Sequence, residues 1–208
     1  MTTADTQNSK LFTHHWTATL PSHPHLVIRH ATPSLSTRLA IIRNPANRIH
    51  ITSQPSLWDD ATVATWTAAQ QARFDKSTTD FDNLDMLVEV DGEVMGLSAI
   101  STMEGGLKEG ERRLNVGVML EEGARGKGVG KALTGAMVEI AWMMGGRVVV
   151  MTKKANEGMR GVMRGLGVEE IVEDVVLEGK GLVAEIVYVV EQEKWESIGL
   201  CLEFGDEM

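Results

Sequence analysis

The segment Arg125-Gly126-Lys127-Gly128-Val129-Gly130-Lys131 constrains this chain more than any other. It lies between an apolar run, Leu114 to Leu120, and a helical pattern that starts at Val129. Glycine at every second position strips the side chains from a turn that opens a helix. A helix N-terminus presents unpaired N–H groups and the positive end of its dipole. Such a turn cradles a phosphate through its backbone alone. Arg125, Lys127 and Lys131 add positive charge in a chain whose net charge is −9, so the turn predicts an anionic ligand.

Spacing narrows the ligand. A P-loop needs G-x-x-x-x-G-K-[ST], but Ala132 follows Gly130-Lys131 and Arg125 stands where the first glycine belongs. A dinucleotide fold needs G-x-G-x-x-G and an acidic residue about 20 positions later. Gly126, Gly128 and Gly130 are spaced differently, and Gly145-Gly146 fall where the acid belongs. The pattern [RQ]-x-x-G-x-[GA] fits Arg125 to Gly130 at every position.

That pattern resembles the coenzyme A pyrophosphate loop of the GNAT acetyltransferases. Val116 to Glu122 resembles the family's fourth strand, Val129 to Met144 its third helix and Val148 to Met151 its fifth strand. Asn156 to Val168 resembles its following N-x-x-(A/S)-x-x-(V/L)-x-x-x-x-G-F helix. The likeness covers roughly residues 114–195 well and 26–113 in outline, with spacing nearest the branch that acetylates protein N-termini and small amines. It implies an α/β fold: a mixed, largely antiparallel sheet of about seven strands, about four flanking helices, and a splay between the family's strands 4 and 5.

A chain of 208 residues suffices for one domain with arms. The expected division is a flexible N-terminal arm over residues 1–24, polar and carrying Pro21 and Pro24, then one acetyltransferase domain over 25–208. No apolar run approaches 18 residues, which argues against a membrane span, and the N-terminus lacks an apolar signal core. One cysteine, Cys201, rules out an internal disulfide and a cysteine-based zinc site. The cytoplasm, or the nucleus, is the expected location. All six histidines precede residue 51 without acidic companions and read as scattered surface residues rather than a metal site. From Glu169 to Met208 there are 12 acidic residues against Lys180 and Lys194, which argues against nucleic acid. That acidity reads as a solvated surface, or as a field drawing in a cationic amine.

Periodicity predicts a strand over 25–30 and a helix over 34–42 that stops at Asn44-Pro45. A helix within 57–76 is capped by Asp59 or Asp60 and ends near Ser77-Thr78. Leu84 to Val90 and Glu93 to Ser101 form a hairpin around Asp91-Gly92, and 104–113 is a loop. In the helix from Val129, residues 129, 132, 133, 136, 137, 140 and 144 form one apolar face, ended by Gly145-Gly146. Residues 171–177 and 182–190 form a second antiparallel pair. Trp195, Leu200, Leu202 and Phe204 either pack back or bridge to a second copy of the chain, so a homodimer stays open.

The resemblance assigns roles. Acetyl-CoA is the acetyl donor, with no metal. Gly126, Lys127, Gly128, Val129, Gly130 and Lys131, with Arg125, hold its pyrophosphate. Leu120 bonds the pantetheine through its backbone, and Val118 points its N–H at the acetyl oxygen, which such a donor stabilises by about 3 kcal/mol as charge develops. Asn156 holds the pantetheine amides or caps its helix, and Met159 lies beside it.

Proton transfer departs from the family's pattern. An alkyl amine must lose a proton before attack, yet Leu114 stands where many members carry a glutamate, and Asn115 is neutral. Glu111 is the nearest acid, and Glu121 and Glu122 read as surface residues. Met163 replaces a tyrosine and Met159 a serine, and neither donates a proton. Tyr188, the only tyrosine, lies in the last predicted strand. The implied function is direct transfer of acetyl to a primary amine of a small molecule or peptide N-terminus. The alternative is a weak or inactive acyl-CoA-binding module. A third reading makes the acidic C-terminal region a partner surface.

Overall fold

Among the described residues nine strands form one sheet in the order β7-β8-β6-β5-β4-β3-β2-β1-β9. They are β1 His14–Leu20, β2 His23–His30, β3 Asn83–Val90, β4 Glu93–Met103, β5 Arg113–Leu120, β6 Arg147–Thr152, β7 Ile171–Leu177, β8 Gly181–Val190 and β9 Cys201–Glu207. Among the described residues the helices after β2 are α1 Leu35–Arg43, α2 Pro45–Arg48, α3 Asp60–Asp80, α4 Val129–Met143 and α5 Glu157–Gly165. The computed structural model describes residues 9–31, 35–49, 55, 57–103, 112–177 and 181–208.

Every strand pair is antiparallel except β5–β6. That parallel pair holds only over Arg113–Asn115 against Arg147–Val149. Beyond Asn115 the strands part, and the edge of β5 facing β6 carries no strand partner among the described residues. α4 makes the parallel crossover between them.

Two apolar clusters cover the two faces of the sheet. α4 packs with Leu84, Met86, Val88, Ile100, Leu114 and Val116 in the larger one. Ile41, Ile42 and Trp66 of α1 and α3 pack on Leu97 in the smaller, with Leu87 and Met119 beside it. Residues 87, 97 and 119 are cross-strand partners, so they share a face by the two-residue period of a strand.

The expected flexible arm is corrected in part. Residues 1–8 lie outside the described residues, residues 9–13 are helical, and β1 pairs with both β2 and β9. Trp16, Ala18 and Leu20 alternate along β1 and are buried, while the threonines between them suit a strand through β-branching. The Trp16 indole N–H donates to the Leu11 carbonyl at 2.9 Å, which ties the helical turn down. β1 and β9 account for a sheet wider than the expected seven strands. His30 is also not a surface residue: it is buried, and its ring stacks on Trp16 with centroids 5.9 Å apart.

Asn44-Pro45 stops α1 as expected and also starts α2. The Asn44 side chain accepts from Ala46 N–H, and proline at the first helical position has no N–H to satisfy. The C-terminal segment packs back on its own chain. Glu139 of α4 accepts from the Trp195 indole at 3.2 Å and from Ile198 N–H at 2.7 Å. This strap crosses α4 and delivers β9 to the far edge, which explains why Gly135 is buried although it lies off the predicted apolar face: a Cβ there would meet Ile198 at 3.1 Å and Trp195 at 3.7 Å. Among the described residues no helix is long and apolar enough to cross a membrane.

Candidate acyl-CoA cleft

The site forms where β5 and β6 part and α4 begins. A cleft of about 640 Å³ lies between β5, the turn before α4, α5 and α2. Val118, Leu120, Arg125, Gly126, Gly128, Gly130, Lys131, Asn156 and Met159 all line it. Segments far apart in sequence therefore converge on one cleft. Lys127 is exposed outside this lining, and Val129 is fully buried in the core, so it can offer only backbone. Glu111 lies outside the described residues.

Local geometry makes the turn a cradle. Gly126 and Gly128 hold φ of +73° and +81°, a left-handed conformation that favours glycine. Gly128 is the N-cap of α4 and supplies no side-chain hydrogen bond, so the first-turn N–H groups face the cleft side uncapped by side chains. Arg125 turns back instead of reaching out. Its Nε donates to the Leu120 carbonyl at 2.9 Å and its Nη2 to Asn47 Oδ1 at 2.6 Å.

Asn47 and Asn44 in turn donate to the two oxygens of Glu121, each at 2.9 Å. The Glu121 carboxylate thus clamps α2 against the end of β5 and is not a solvated surface group. This clamp, with Ala46, Asn47 and Ile49 in the cleft wall, escaped sequence reasoning. Its only local signal is the Asn-Pro start of α2.

Asn156 does cap α5: its Oδ1 accepts from Met159 N–H at 3.2 Å, while its Nδ2 donates to Thr152 Oγ1 at 2.9 Å. Leu114, where the family's glutamate stands, is fully buried on the α4 face. Met163 is likewise core. Tyr188 is buried with its hydroxyl donating to Glu170 Oε2 at 3.0 Å; burial first, and then that bond, push its pKa up to about 12. It lies outside the cleft lining and serves structure. No carboxylate lines the cleft among the described residues, and no three metal-ligating side chains converge there or elsewhere among them.

The parted parallel strands, the side-chain-free turn and the helix N-terminus agree with what known proteins show. An acetyltransferase (GNAT) domain profile matches residues 25–169. The chain belongs to the GNAT acetyltransferases. It is an acetyl-CoA-dependent N-acetyltransferase, and the fold is the GNAT fold. Among solved structures it is similar to Mycobacterium smegmatis RimJ in complex with a CoA-disulfide, with 17% identity over 88% of this chain and 89% of that one and a TM-score of 0.63. It is also similar to a ribosomal-protein-S5-alanine acetyltransferase from Vibrio fischeri, at 16% identity over 83% and 96% with a TM-score of 0.57. A third is a Salmonella typhimurium structure, yncA, described as a putative acetyltransferase with its cofactor acetyl-CoA, at 17% identity over 79% and 92% with a TM-score of 0.57. No curated protein matches the chain by sequence.

Proposed function

We propose that the enzyme transfers acetyl from acetyl-CoA, bound in the cleft at the β5–β6 parting, directly to the α-amine of a protein N-terminus. The observation that carries this reading is the cleft itself: an uncapped helix N-terminus at one end and the free edge of β5 along its floor. The pyrophosphate sits on the backbone of the turn, with Lys131 and Lys127 as outer charge. The Leu120 and Val118 backbone follows the pantetheine to the acetyl oxygen. Asn156 and Met159 form the opposite wall.

Direct attack is favoured because neither nucleophilic side chain in the cleft lining is set up to carry an acyl group: the Thr134 hydroxyl is fully buried with no carboxylate or histidine beside it in the lining, and Lys131 stands at the phosphate turn. The one cysteine, Cys201, sits in β9 at the far edge of the sheet. The choice of α-amine follows from the missing base. At pH 7.5 about a third of an α-amine is already neutral, against about a thousandth of a lysine amine. A site with leucine at the family's base position suits the first, whether or not Glu111 assists. The S5-alanine acetyltransferase similarity points the same way.

The acceptor side is a second cavity, of about 210 Å³, on the face of the sheet away from α4. Val149 and Met151 line it at the root of the splay beside Arg113, and the two carboxylates Glu173 and Asp174 of β7 outnumber that one positive charge, which favours a cationic amine. Such an enzyme works where acetyl-CoA meets protein N-termini, the cytoplasm first and the nucleus second.

The test is thiol release with peptides carrying free or acetylated α-amines, set beside polyamines and amino acids. Only free α-amines should turn over well, double-reciprocal plots should intersect, and kcat/KM should climb with pH until the α-amine is neutral. Faster turnover of small alkyl amines, or parallel plots that signal an acyl-enzyme, would reject the reading.

A further inference from the structure

Thr134 is the one side-chain hydroxyl among the residues lining the cleft. It is fully buried, and its Oγ1 has no hydrogen-bond partner among the described residues. A helical threonine ordinarily returns its hydroxyl to the carbonyl four residues back. Here the carbonyl of Gly130 does not receive it. A buried hydroxyl left unpaired destabilises the free fold, so the position calls for another partner.

Its level in the cleft identifies that partner. β5 and β6 are parallel neighbours, so α4 between them runs back along β5 from the turn. Gly130 lies against Leu120: a Cβ on Gly130 would sit 3.7 Å from Leu120 Cδ1. Four residues along a helix advance about 6 Å, and two residues back along a strand advance about 6.8 Å. Thr134 therefore comes level with Val118, one helical turn beyond the phosphate cradle. Both line the same cleft.

We propose that Thr134 is a donor-binding residue whose hydroxyl gives a hydrogen bond to an amide carbonyl of the pantetheine arm of acetyl-CoA. This rests on the cleft being the acyl-CoA site. The hydroxyl then trades an unpaired state in the free protein for a paired one in the complex, so it contributes to affinity and not to folding. It holds the arm opposite the free edge of β5, where no protein strand does so.

The test compares CoA with adenosine 3′-phosphate 5′-diphosphate, which keeps the pyrophosphate and lacks the arm, by calorimetry. Thr134→Val keeps the shape and removes the hydroxyl. It should raise the Kd of CoA about tenfold, the worth of one hydrogen bond made only in the complex, and leave that of the diphosphate unchanged. The free variant should melt no lower than the unsubstituted protein, and Thr134→Ser should restore CoA affinity. Equal weakening of both ligands, no weakening of either, or a lower melting temperature with unchanged CoA affinity would each overturn the proposal. If the unsubstituted protein bound neither ligand, the reading of the cleft would fall with it; if it bound both and Thr134→Val matched it, the Thr134 proposal alone would fall.

Discussion

The cradle between β5 and α5 and the wall that the N-terminal half raises against it are built by contacts of different range. In the cradle, Arg125 bonds Leu120 five residues away, and Asn156 bonds Met159 three residues away. In the wall, Asn44 and Asn47 reach Glu121 across 77 and 74 residues, and at the far edge of the sheet β1 finds β9 from the other end of the chain. Short-range contacts form whenever their segment adopts its conformation. Long-range ones must first overcome the entropy of closing a long loop. The cradle should therefore yield to changes that spoil ligand binding while the protein stays folded. The N-terminal half should yield to changes that unfold it.

The largest effect is expected from Asp85→Ala. Asp85 and Arg38 form a buried ion pair at 3.1 Å, with side chains only 7% and 8% exposed. Asn83 Nδ2 also donates to Asp85 at 3.2 Å, and Arg38 donates to Gln70. Removing the carboxylate leaves the Arg38 charge buried and uncompensated, at a cost of about 3–5 kcal/mol. Denaturant titration should show that loss. A shift below about 1 kcal/mol would mean water reaches the pair and the surface-bridge rule applies instead.

His30 provides a pH-dependent test of the same half. Burial, outweighing a bond to the His14 carbonyl and the nearby Asp85, lowers its pKa from 6.5 to about 4. The unfolded chain then binds the proton more readily between those values. Stability is fully present above pH 6.5 and is lost as pH falls towards 4, by about 3 kcal/mol in all. His30→Phe keeps an aromatic ring against Trp16 and should remove that slope. Parallel pH profiles for the two proteins would show that His30 is not what titrates.

What was legible in the sequence follows the same division. Glycines at 126, 128 and 130, an Asn at the start of α5 and the apolar period of α4 act within a few residues, so the turn and the two helices beside the cleft are legible locally. β1 reads as a flexible arm in the sequence because threonines and histidines hide its alternating Trp16, Ala18 and Leu20. The clamp of Glu121 by α2 has no local signature, since nothing near residue 121 announces Asn44 and Asn47. Thr134 carries no signal in the sequence because it falls off the apolar face that defines its helix, and only the folded cleft shows where that other face looks.

In the cradle, Gly128→Asp should cost binding and not the fold. A side chain at φ +81° is strained, but Gly128 is exposed and a Cβ there would meet only His23 Nε2, at 3.8 Å. The carboxylate would stand where pyrophosphate charge belongs, and acetyl-CoA affinity should fall by about a hundredfold or more, roughly 2.7 kcal/mol. Calorimetry on a variant with an unchanged circular dichroism spectrum decides it. Unaltered affinity would place the pyrophosphate elsewhere.

The smallest effect separates two uses of one residue. Asn156 caps α5 and also lines the cleft, so it can serve stability, ligand or both. Loss of a cap costs about 1 kcal/mol, and Asn156→Ala should show that much in denaturant. Asn156→Asp keeps an oxygen for Met159 N–H and adds charge favourable to a helix N-terminus, so it should recover the stability. It cannot donate to Thr152 or to a ligand carbonyl. Both oxygen and amide of Asn156 are already engaged within the protein, which makes the cap its main task. CoA affinity in Asn156→Asp should therefore fall by less than about threefold, well under the tenfold that one lost hydrogen bond can cause. A larger fall with stability recovered would move Asn156 from the fold's service to the ligand's, and would show that a short-range contact in the cradle can do both.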